Sequence, residues 1–521
     1  MIAFLRKYGV AFLSGSLLAW SFPGVGFHPF AWAALSLLFV RTASMRRADT
    51  VRQFAAAAHA FHSVLFYWMI ANTYWAGGWA IFGQQLLCAY LDLYWCAFAL
   101  AWVSLRDRLH PALLPAAGGV AWAALEHVES FLFSGFGWSA LGYSQGPNLA
   151  VAQWAVIGGV NLVSLLLVAV NVCIALTVTR QGRARAGFAA ATVLLLVTVQ
   201  LGGRAMLAEA DYASKPFKVG IFQSNFSLEM KWDQEYSIEM IRNAVSKSRL
   251  IADHHHTDLV VWPEALVMDP IDDPVVTGMI KELATGSRTA VFGGGHRAEH
   301  GPYRSYNSSF LMDANGVTTG IYDKIHLVPY GEYVPLADFL PFVTQVVPAI
   351  GNMVRGTEAK VLDVGGRRLG PLICFEVLYG PMAERLRTNG ADFLTVITNL
   401  SWFGMSSAIP QELEIARMRA IETRLPLVHA ANTGISGVFD PYGRFTLIDG
   451  AVDSEGDYRE LIDGVTPEQT IRERLVGAFD LAAPAPRLFD RGPSWFPWIN
   501  LAGAILLLAA AAALRSPGMS R

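Results

Sequence analysis

The 521-residue sequence has few cysteines, and their distribution limits the chemistry they can perform. Only four occur, and Cys88, Cys96 and Cys173 lie in strongly apolar runs, so Cys374 is the one thiol in the polar part of the chain. It therefore has no partner for a disulfide within a polar domain. A lone cysteine in an oxidising compartment risks mispairing, which favours retention for reactivity. The alternative is a small buried apolar side chain, a common role of free cysteine.

Charged residues are also scarce, at 16% against 53% hydrophobic residues, which excludes a protein that is soluble throughout. The net charge of −2 gives no indication of nucleic-acid binding. A membrane span needs roughly 20 apolar residues, and the sequence predicts about eight spans, of which the first two are short. They cover about residues 8–22, 29–40, 54–72, 79–104, 111–133, 149–179, 187–206 and 496–514.

The placement of basic residues predicts the orientation of these spans. Twelve Lys and Arg precede residue 210, and eleven of them fall near residues 6–7, 41–52, 106–108 and 180–185. The positive-inside rule makes these loops cytoplasmic, so seven spans carry residues 210–492 across the membrane and the eighth returns the chain. We expect a membrane domain at 1–209, a periplasmic catalytic domain at 210–492, and a final span with a short tail at 493–521. Both termini are then cytoplasmic.

Within residues 210–492 the apolar runs shorten to strand length and alternate with helical patterns. This alternation predicts an α/β layered domain. The Asp-containing turns at 313–316 and 440–443 predict hairpins, so the sheet should be mixed. The predicted strands are 217–223, 258–262, 289–293, 369–375, 393–398 and 427–431, and the predicted helices are 233–252, 274–284, 380–388 and 411–423.

Three residues of this domain have the chemistry of acyl transfer through a thioester. Glu264 follows a predicted strand, Lys324 follows another, and Cys374 ends a third, so the three can meet at one sheet edge. A thiol is only partly ionised near neutrality and needs a base or a nearby cation. Glu264 can take the thiol proton, while Lys324 favours the thiolate and stabilises an oxyanion. A histidine base, for which His326 and His429 are among the candidates, is the alternative.

The motifs around these residues resemble the nitrilase superfamily of carbon–nitrogen hydrolases. They are Trp-Pro-Glu at 262–264, Asp-Lys at 323–324 followed by His-Leu-Val-Pro-Tyr-Gly-Glu at 326–332, and Cys-Phe-Glu at 374–376. With seven spans before this domain and one after it, the whole chain resembles the bacterial apolipoprotein N-acyltransferase family. The resemblance extends to the Gly-Phe-Gly-Trp and Gly-Tyr-Ser-Gln elements at 135–138 and 142–145.

This resemblance implies an αββα sandwich in which Glu264, Lys324 and Cys374 form a catalytic triad. It also implies supporting roles for active-site neighbours and contacts to substrate from several other residues. The expected supporting residues are Glu332, Glu376, Phe375 and Trp232, and the expected substrate contacts are Tyr330, Asn399, Trp402 and Tyr143. The chain departs from the family pattern at Phe375, where Tyr is common, at Leu400, where Asp is usual, and near Pro410, where a histidine is often found.

The family reaction is an acyl transfer in two steps. Cys374 takes a fatty acyl chain from a phospholipid, which we expect to be phosphatidylethanolamine, and passes it to the N-terminal amine of a diacylglyceryl apolipoprotein in the bacterial inner membrane. No cofactor and no metal are expected. The apolar stretch 335–350 is a candidate lid that keeps water from the thioester. Glu126 and Glu129 resemble functional charges within the membrane, although a place at the outer boundary of the fifth span explains them as well.

Two other functions fit parts of the sequence. A membrane-anchored amidase or nitrilase would use the same triad on a small amide, but it gives no reason for the seven preceding spans. A transporter or scaffold carrying an inactive domain would explain the spans, but not the intact triad.

Overall fold

The chain forms two compact units, which we call the helical unit and the α/β unit. The helical unit comprises residues 1–208, 406–422 and 487–521, and the α/β unit comprises 209–405 and 423–486. The predicted domain boundaries at 209 and 492 stay predictions. The computed structural model describes residues 2–72, 77–211, 216–227, 234–270, 273–300, 303–334, 353–448, 450–452, 458–460, 474–487 and 492–514.

The helices follow the apolar and amphipathic segments of the sequence. In chain order they are α1 (Ile2–Trp20), α2 (Ala34–Thr42), α3 (Arg47–Leu65), α4 (Trp79–Arg106), α5 (Leu114–Glu129), α6 (Leu149–Ala152), α7 (Ala155–Thr179), α8 (Gly182–Met206), α9 (Gln234–His255), α10 (Pro274–Ser287), α11 (Gly380–Thr388), α12 (Ala408–Thr423) and α13 (Trp495–Ala513).

Four helices in the described ranges are long and apolar enough to cross a membrane. They are α4, α7, α8 and α13. The other four predicted spans fall on α1, α2, α3 and α5. Of these, α2 has 9 residues and α5 has 16, too few for a hydrocarbon core that takes about 20. The helical unit therefore has four candidate spans, three in residues 1–208 and one near the carboxyl end, and the count of eight stays a prediction.

Glu126 and Glu129 lie in the last turn of α5, where both side chains are buried. Glu126 accepts hydrogen bonds from the Trp122 indole at 2.7 Å and the Leu141 amide at 3.0 Å. Glu129 accepts one from the Ser139 hydroxyl at 2.6 Å. Both carboxylates thus tie the connection after α5 back to that helix.

The first sheet of the α/β unit contains nine described strands. Their order is β14-β13-β15-β1-β2-β4-β5-β6, with β3 beside β4. β1, β2 and β4 are parallel, whereas β4, β5 and β6 form an antiparallel meander. The strands are β1 (Phe217–Gln223), β2 (Leu259–Val261), β3 (Val267–Pro270), β4 (Ala290–His300), β5 (Tyr303–Met312), β6 (Thr318–Asp323), β13 (Gly450–Val452), β14 (Tyr458–Glu460) and β15 (Leu475–Leu481).

The second sheet has the order β12-β11-β10-β9-β8-β7. Its central strands β8, β9 and β10 are parallel, so their carboxyl ends lie at one edge. The strands are β7 (Leu362–Val364), β8 (Arg367–Ile373), β9 (Phe393–Thr398), β10 (Leu427–Ala431), β11 (Gly437–Phe439) and β12 (Phe445–Leu447).

Apolar side chains join these layers into a sandwich. Phe217 of β1 and Phe393 of β9 contact each other between the sheets, with ring centroids 5.5 Å apart. Met240 of α9 and Ile280 of α10 belong to a buried cluster with residues of the first sheet. The β-carbon of Leu386 in α11 would be 3.1 Å from a side chain at Gly370 of β8, so α11 covers the second sheet. This order of helix, sheet, sheet and helix confirms the predicted sandwich.

All six predicted strands are present, and both predicted hairpins join antiparallel pairs, β5 with β6 and β11 with β12. The strand predicted to end at 375 instead ends at Ile373. A 3₁₀ helix, Cys374–Leu378, follows it directly. The chain turns here because Cys374 has a left-handed backbone conformation with φ of 50°. Such a conformation is unfavourable for a residue with a β-carbon.

Candidate active site

Glu264 lies in the turn after β2, three residues beyond the end of that strand. The next strand of the sheet, β4, approaches this turn closely at Gly294. A β-carbon on Gly294 would be 2.7 Å from the Cα atom of Glu264, a separation that real β-carbons do not adopt. The glycine thus lets the turn rest directly on the sheet. Glu264 itself is buried, with 7% of its surface exposed.

Lys324 follows β6 and is also buried, with 1% of its surface exposed. Its ammonium is 3.3 Å from Oε1 of Glu264 and 2.9 Å from Oε1 of Glu332. Burial by itself lowers the pKa of Lys324, but Glu332, Glu264 and then Cys374 raise it by charge, and the result is a pKa above the ordinary value. Lys324 is therefore a permanent cation at neutral pH, and the thiol lies within its electrostatic range.

Glu332 is held by three donors. Besides Lys324, it accepts hydrogen bonds from the side-chain amide of Asn307 at 2.6 Å and from the Val328 amide at 2.7 Å. The backbone of Glu332 returns a bond to Val328, because its amide donates to the Val328 carbonyl at 2.9 Å. The loop from 328 to 332 is therefore closed on itself, and its carboxylate points to Lys324.

Asn307 on β5 connects the two carboxylates, and the sequence analysis missed it. Its Nδ2 donates to Oε1 of Glu264 at 2.8 Å as well as to Glu332. Its backbone carbonyl accepts from the amide of Lys324 at 2.8 Å. The only sequence signal is a polar run, Asn307-Ser308-Ser309, inside a strand, and all three residues are buried. A buried polar residue in a strand needs partners. For Asn307, these partners are the candidate catalytic groups Glu264 and Glu332.

Cys374 is half-buried at the start of the 3₁₀ helix after β8. Its left-handed conformation is an outlier of the kind that clusters at functional sites. Phe375 beside it is buried and packs edge-to-face on Tyr379, at 5.7 Å between ring centroids.

Glu376 is fully buried and has donors on both oxygens. The Tyr322 hydroxyl is 2.8 Å from Oε1 and 2.9 Å from Oε2, and the Ile325 and His326 amides donate to Oε1 at 2.7 and 3.2 Å. The Ile373 amide donates to Oε2 at 2.8 Å. Burial raises the pKa of Glu376 to about 7, although these hydrogen bonds oppose the shift. Glu376 therefore ties the segment after Lys324 to the residue before Cys374.

His326, one of the alternative bases, has surroundings that do not suit a base. Its ring stacks on Tyr379 with centroids 3.8 Å apart. Burial, followed by the positive charges of Arg355 and Arg385, lowers the pKa of His326 to about 4. A base this weak cannot keep a proton taken from a thiol near neutral pH.

The remaining predicted site residues are not all in one place. Asn399 is buried at the carboxyl end of β9, where its Oδ1 accepts from the Ser401 hydroxyl at 2.6 Å and from Asn432 at 2.9 Å. Trp402 lies half-buried in the 3₁₀ turn that follows, and Tyr330 is 53% exposed. Tyr143 belongs to the helical unit, where its hydroxyl accepts from Arg419 at 3.1 Å. Trp232 and the candidate lid 335–350 lie outside the described residues.

Two family models match the sequence over complementary regions. The model of carbon-nitrogen hydrolases matches residues 218–453, and the model described as apolipoprotein N-acyltransferase N-terminal domain matches residues 14–173. An apolipoprotein N-acyltransferase from Geobacter metallireducens is 33% identical over 526 residues, which cover 97% of this chain and 95% of that protein. A second, from Sinorhizobium medicae, is 31% identical over 68% of this chain and 67% of that protein.

Among solved structures, a nitrilase-superfamily amidase from Nesterenkonia sp. AN1 is 16% identical with a TM-score of 0.37. That similarity covers 58% of this chain and 98% of the amidase.

Proposed function

Because the chain belongs to the apolipoprotein N-acyltransferase family, and is thus an acyltransferase of lipoprotein maturation, we propose that Cys374 carries the acyl chain as a thioester between two substrates. The observation that supports this most strongly is the buried Glu264–Lys324–Glu332 group, with Cys374 within range of its cation. We assign Glu264 as the general base and acid, Lys324 as the electrostatic stabiliser and Cys374 as the nucleophile.

The first half-reaction forms the thioester. Glu264 takes the proton of the Cys374 thiol, and the sulfur attacks the carbonyl carbon of a phospholipid ester. Negative charge develops on the carbonyl oxygen, where a fixed cation such as Lys324 stabilises it most in a site with little water. The carbon–oxygen bond then breaks, and the leaving glycerol oxygen takes the proton back from Glu264. The products are a lysophospholipid and acyl-Cys374.

The second half-reaction transfers the acyl chain to nitrogen. An α-amine has a reference pKa of about 7.7 to 8.0, so a useful fraction is neutral at pH 7. The neutral amine attacks the thioester carbonyl, Glu264 accepts its proton, and the carbon–sulfur bond breaks. Cys374 leaves as a thiolate beside Lys324 and regains its proton from Glu264. The enzyme returns to its starting state with an N-acylated product.

Glu376 takes no part in these proton transfers in our account. Its two oxygens accept from four residues and its surface is fully buried. We assign Glu376 and Asn307 as positioning residues, and Glu332 as the second carboxylate that keeps Lys324 charged. Trp232, Tyr330, Asn399, Trp402 and Tyr143 stay candidates for substrate contact.

The finer features of the substrates and topology are also part of the proposal. We assign phosphatidylethanolamine as donor and a diacylglyceryl-cysteine as acceptor. Eight spans in the inner membrane leave residues 210–492 in the periplasm and both termini in the cytoplasm. The clustering of basic residues near 41–52 and 180–185 supports this orientation. A periplasm-side thiol reagent that labelled a cysteine placed at Arg47 would contradict it.

The proposed activity is tested by product formation. Purified protein in vesicles of acyl-labelled phosphatidylethanolamine should N-acylate a diacylglyceryl-cysteine peptide, and Cys374→Ala should abolish the transfer while Cys173→Ala retains it. Release of free fatty acid with no acylated peptide would indicate a hydrolase. Transfer by Cys374→Ala at the rate of the unmodified chain would refute the thioester route.

A further inference from the structure

The candidate active site has more acidic than basic groups. Glu264, Glu332 and Glu376 are buried there with Lys324 as the cation among them. A phospholipid donor carries a phosphate close to the ester that reacts. Its negative charge would be repelled by this surplus of carboxylates unless other cations lay at the margin of the site.

Arg355 lies at that margin, on a segment hydrogen-bonded to the site itself. The Met353 amide donates to the Glu332 carbonyl at 3.0 Å, and the Gly356 amide donates to the Lys324 carbonyl at 2.8 Å. Arg355, between them, is exposed, and its guanidinium is 4.8 Å from the centroid of the Tyr333 ring. The backbone of this segment is thus fixed to two active-site residues while the cation remains accessible.

Arg385 is a second exposed cation in the same region, on α11. The charges of Arg355 and Arg385 both act on His326, whose ring stacks on Tyr379 and whose amide donates to Glu376. Tyr379 directly precedes α11, and both arginines lie within electrostatic range of its stack with His326.

Neither arginine has a carboxylate within ion-pair distance among the residues that the structure describes. Some other arginines of the α/β unit are paired, since Arg249 pairs with Glu282 at 3.0 Å and Arg444 pairs with Asp440 at 3.0 Å. Within the described ranges, Arg355 and Arg385 are thus positive charges without an ion-pair partner, beside a site with more acidic than basic groups. Guanidinium groups suit phosphate because their N–H donors match its oxygens in pairs.

We propose that Arg355, together with Arg385, binds the phosphate of the donor phospholipid and so sets the preference for a phosphodiester-bearing ester. This inference rests on the proposed function, because it concerns the donor of that reaction. In the first half-reaction the two arginines hold the headgroup while the ester carbonyl lies at Cys374. They take no part in bond making or breaking.

The test compares two acyl donors with the same fatty chain, phosphatidylethanolamine and the uncharged p-nitrophenyl ester. Acylation of Cys374 is followed by intact mass against donor concentration in the full-length protein. Arg355→Gln should raise the half-saturating phosphatidylethanolamine concentration about 10-fold, and the double variant with Arg385→Gln should raise it further. Acylation by the neutral ester should be unchanged. Arg355→Lys should recover part of the loss, and Arg249→Gln should match the unmodified chain with both donors.

Each other result has a defined meaning. Equal losses with both donors would show a distorted site, and no loss with phosphatidylethanolamine would show that the phosphate binds elsewhere; either overturns the inference. Inhibition of neutral-ester acylation by millimolar inorganic phosphate would assign the arginines to free phosphate instead. If the unmodified chain forms no acyl-enzyme with either donor, the proposed function fails and not merely this inference.

Discussion

At the scale of single residues, the site depends on how Lys324 shares its charge. Its ammonium contacts Oε1 of Glu264 and Oε1 of Glu332. The side-chain amide of Asn307 donates hydrogen bonds to these same two oxygens. Two carboxylates this close would repel each other without donors between them. The arrangement therefore holds both carboxylates in place beside the ammonium of Lys324.

Asn307→Leu tests this arrangement, because leucine has a similar volume and donates no hydrogen bond. Loss of two bonds to charged groups, at about 1.5 to 3 kcal/mol each, should slow acyl-enzyme formation by about 100-fold or more. The rate of thioester formation measures this directly. Asn315→Ala, in the exposed hairpin turn, serves as the control. An Asn307→Leu protein that formed the thioester at the normal rate would show that Glu264 needs no such support.

Glu376 makes a pH-dependent contribution to stability. Its pKa of about 7 in the folded chain exceeds the ordinary carboxyl value of 4.5, so between these values the folded state binds more protons than the unfolded state. Stability must then fall as pH rises from about 4.5 to about 7, by about 3 kcal/mol in total. Plots of unfolding temperature against pH for the unmodified chain and for Glu376→Gln should therefore differ most in slope over this range. Parallel curves for the two proteins would contradict the raised pKa.

The residues Glu264, Lys324 and Cys374 could be proposed from sequence because each follows an apolar strand and carries a reactive group. Asn307 could not, because an asparagine within a strand has no chemistry that distinguishes it from a solvent-facing residue. For Glu376 the resemblance implied a supporting role, but the sequence could not identify the groups that hold it. Three of its donors are backbone amides, from Ile325, His326 and Ile373, and only the fold brings them together.

At the scale of elements, α12 shows what periodicity cannot reveal. The sequence predicts a helix at 411–423, and the structure has one at Ala408–Thr423, but residues 406–422 belong to the helical unit. Its polar residues resemble a solvent-facing stripe in the sequence, yet Gln411, Arg419 and Glu422 are buried. Glu422 accepts from the Val160 amide at 2.8 Å, just after α7 departs from helical geometry at Gly158 and Gly159.

Gln411 should be a main anchor of this helix. Its Oε1 accepts from the Trp68 indole at 3.1 Å and the Trp138 indole at 2.9 Å, and its Nε2 donates to the carbonyl of Leu65 at 3.3 Å. Gln411→Leu removes the shared acceptor of two indole N–H groups and should reduce stability by roughly 3 kcal/mol. Thermal unfolding in detergent measures this, with the exposed Gln181→Leu as control. Equal unfolding temperatures for the two variants would show that α12 is held mainly by apolar packing.

The contact between β4 and the turn after β2 gives a second test at this scale. A methyl group at Gly294 meets the backbone of Glu264 and Ala265 at 2.7 and 2.8 Å, so the turn must move. A shift of about 1 Å in a catalytic base can lower a rate about 100-fold. Gly294→Ala should thus lose acyl transfer. A β-carbon on Gly278 in α10 would have no atom within 4 Å. Gly278→Ala should therefore keep the activity of the unmodified chain and gain about 1 kcal/mol of stability. Similar activities for both variants would refute the role of this contact.

At the scale of the whole molecule, the chain joins a helical unit with four candidate spans to an α/β sandwich. Composition predicted this division because the apolar runs change length abruptly near residue 215. It could not establish the number of spans, since α2 and α5 have 9 and 16 residues and their place in a bilayer depends on neighbouring helices. Nor could it assign α12 to a unit, because that assignment depends on hydrogen bonds between distant segments.

The central claim is that Cys374 holds the acyl chain between donor and acceptor. The most direct measurement is the intact mass of the full-length protein after incubation with phosphatidylethanolamine and no acceptor, with Cys374→Ala alongside. We predict a mass gain of one fatty acyl group on the unmodified chain alone, and its loss when a diacylglyceryl-cysteine peptide is added. Consumption of the phospholipid with no adduct, or the same adduct on Cys374→Ala, would contradict the account.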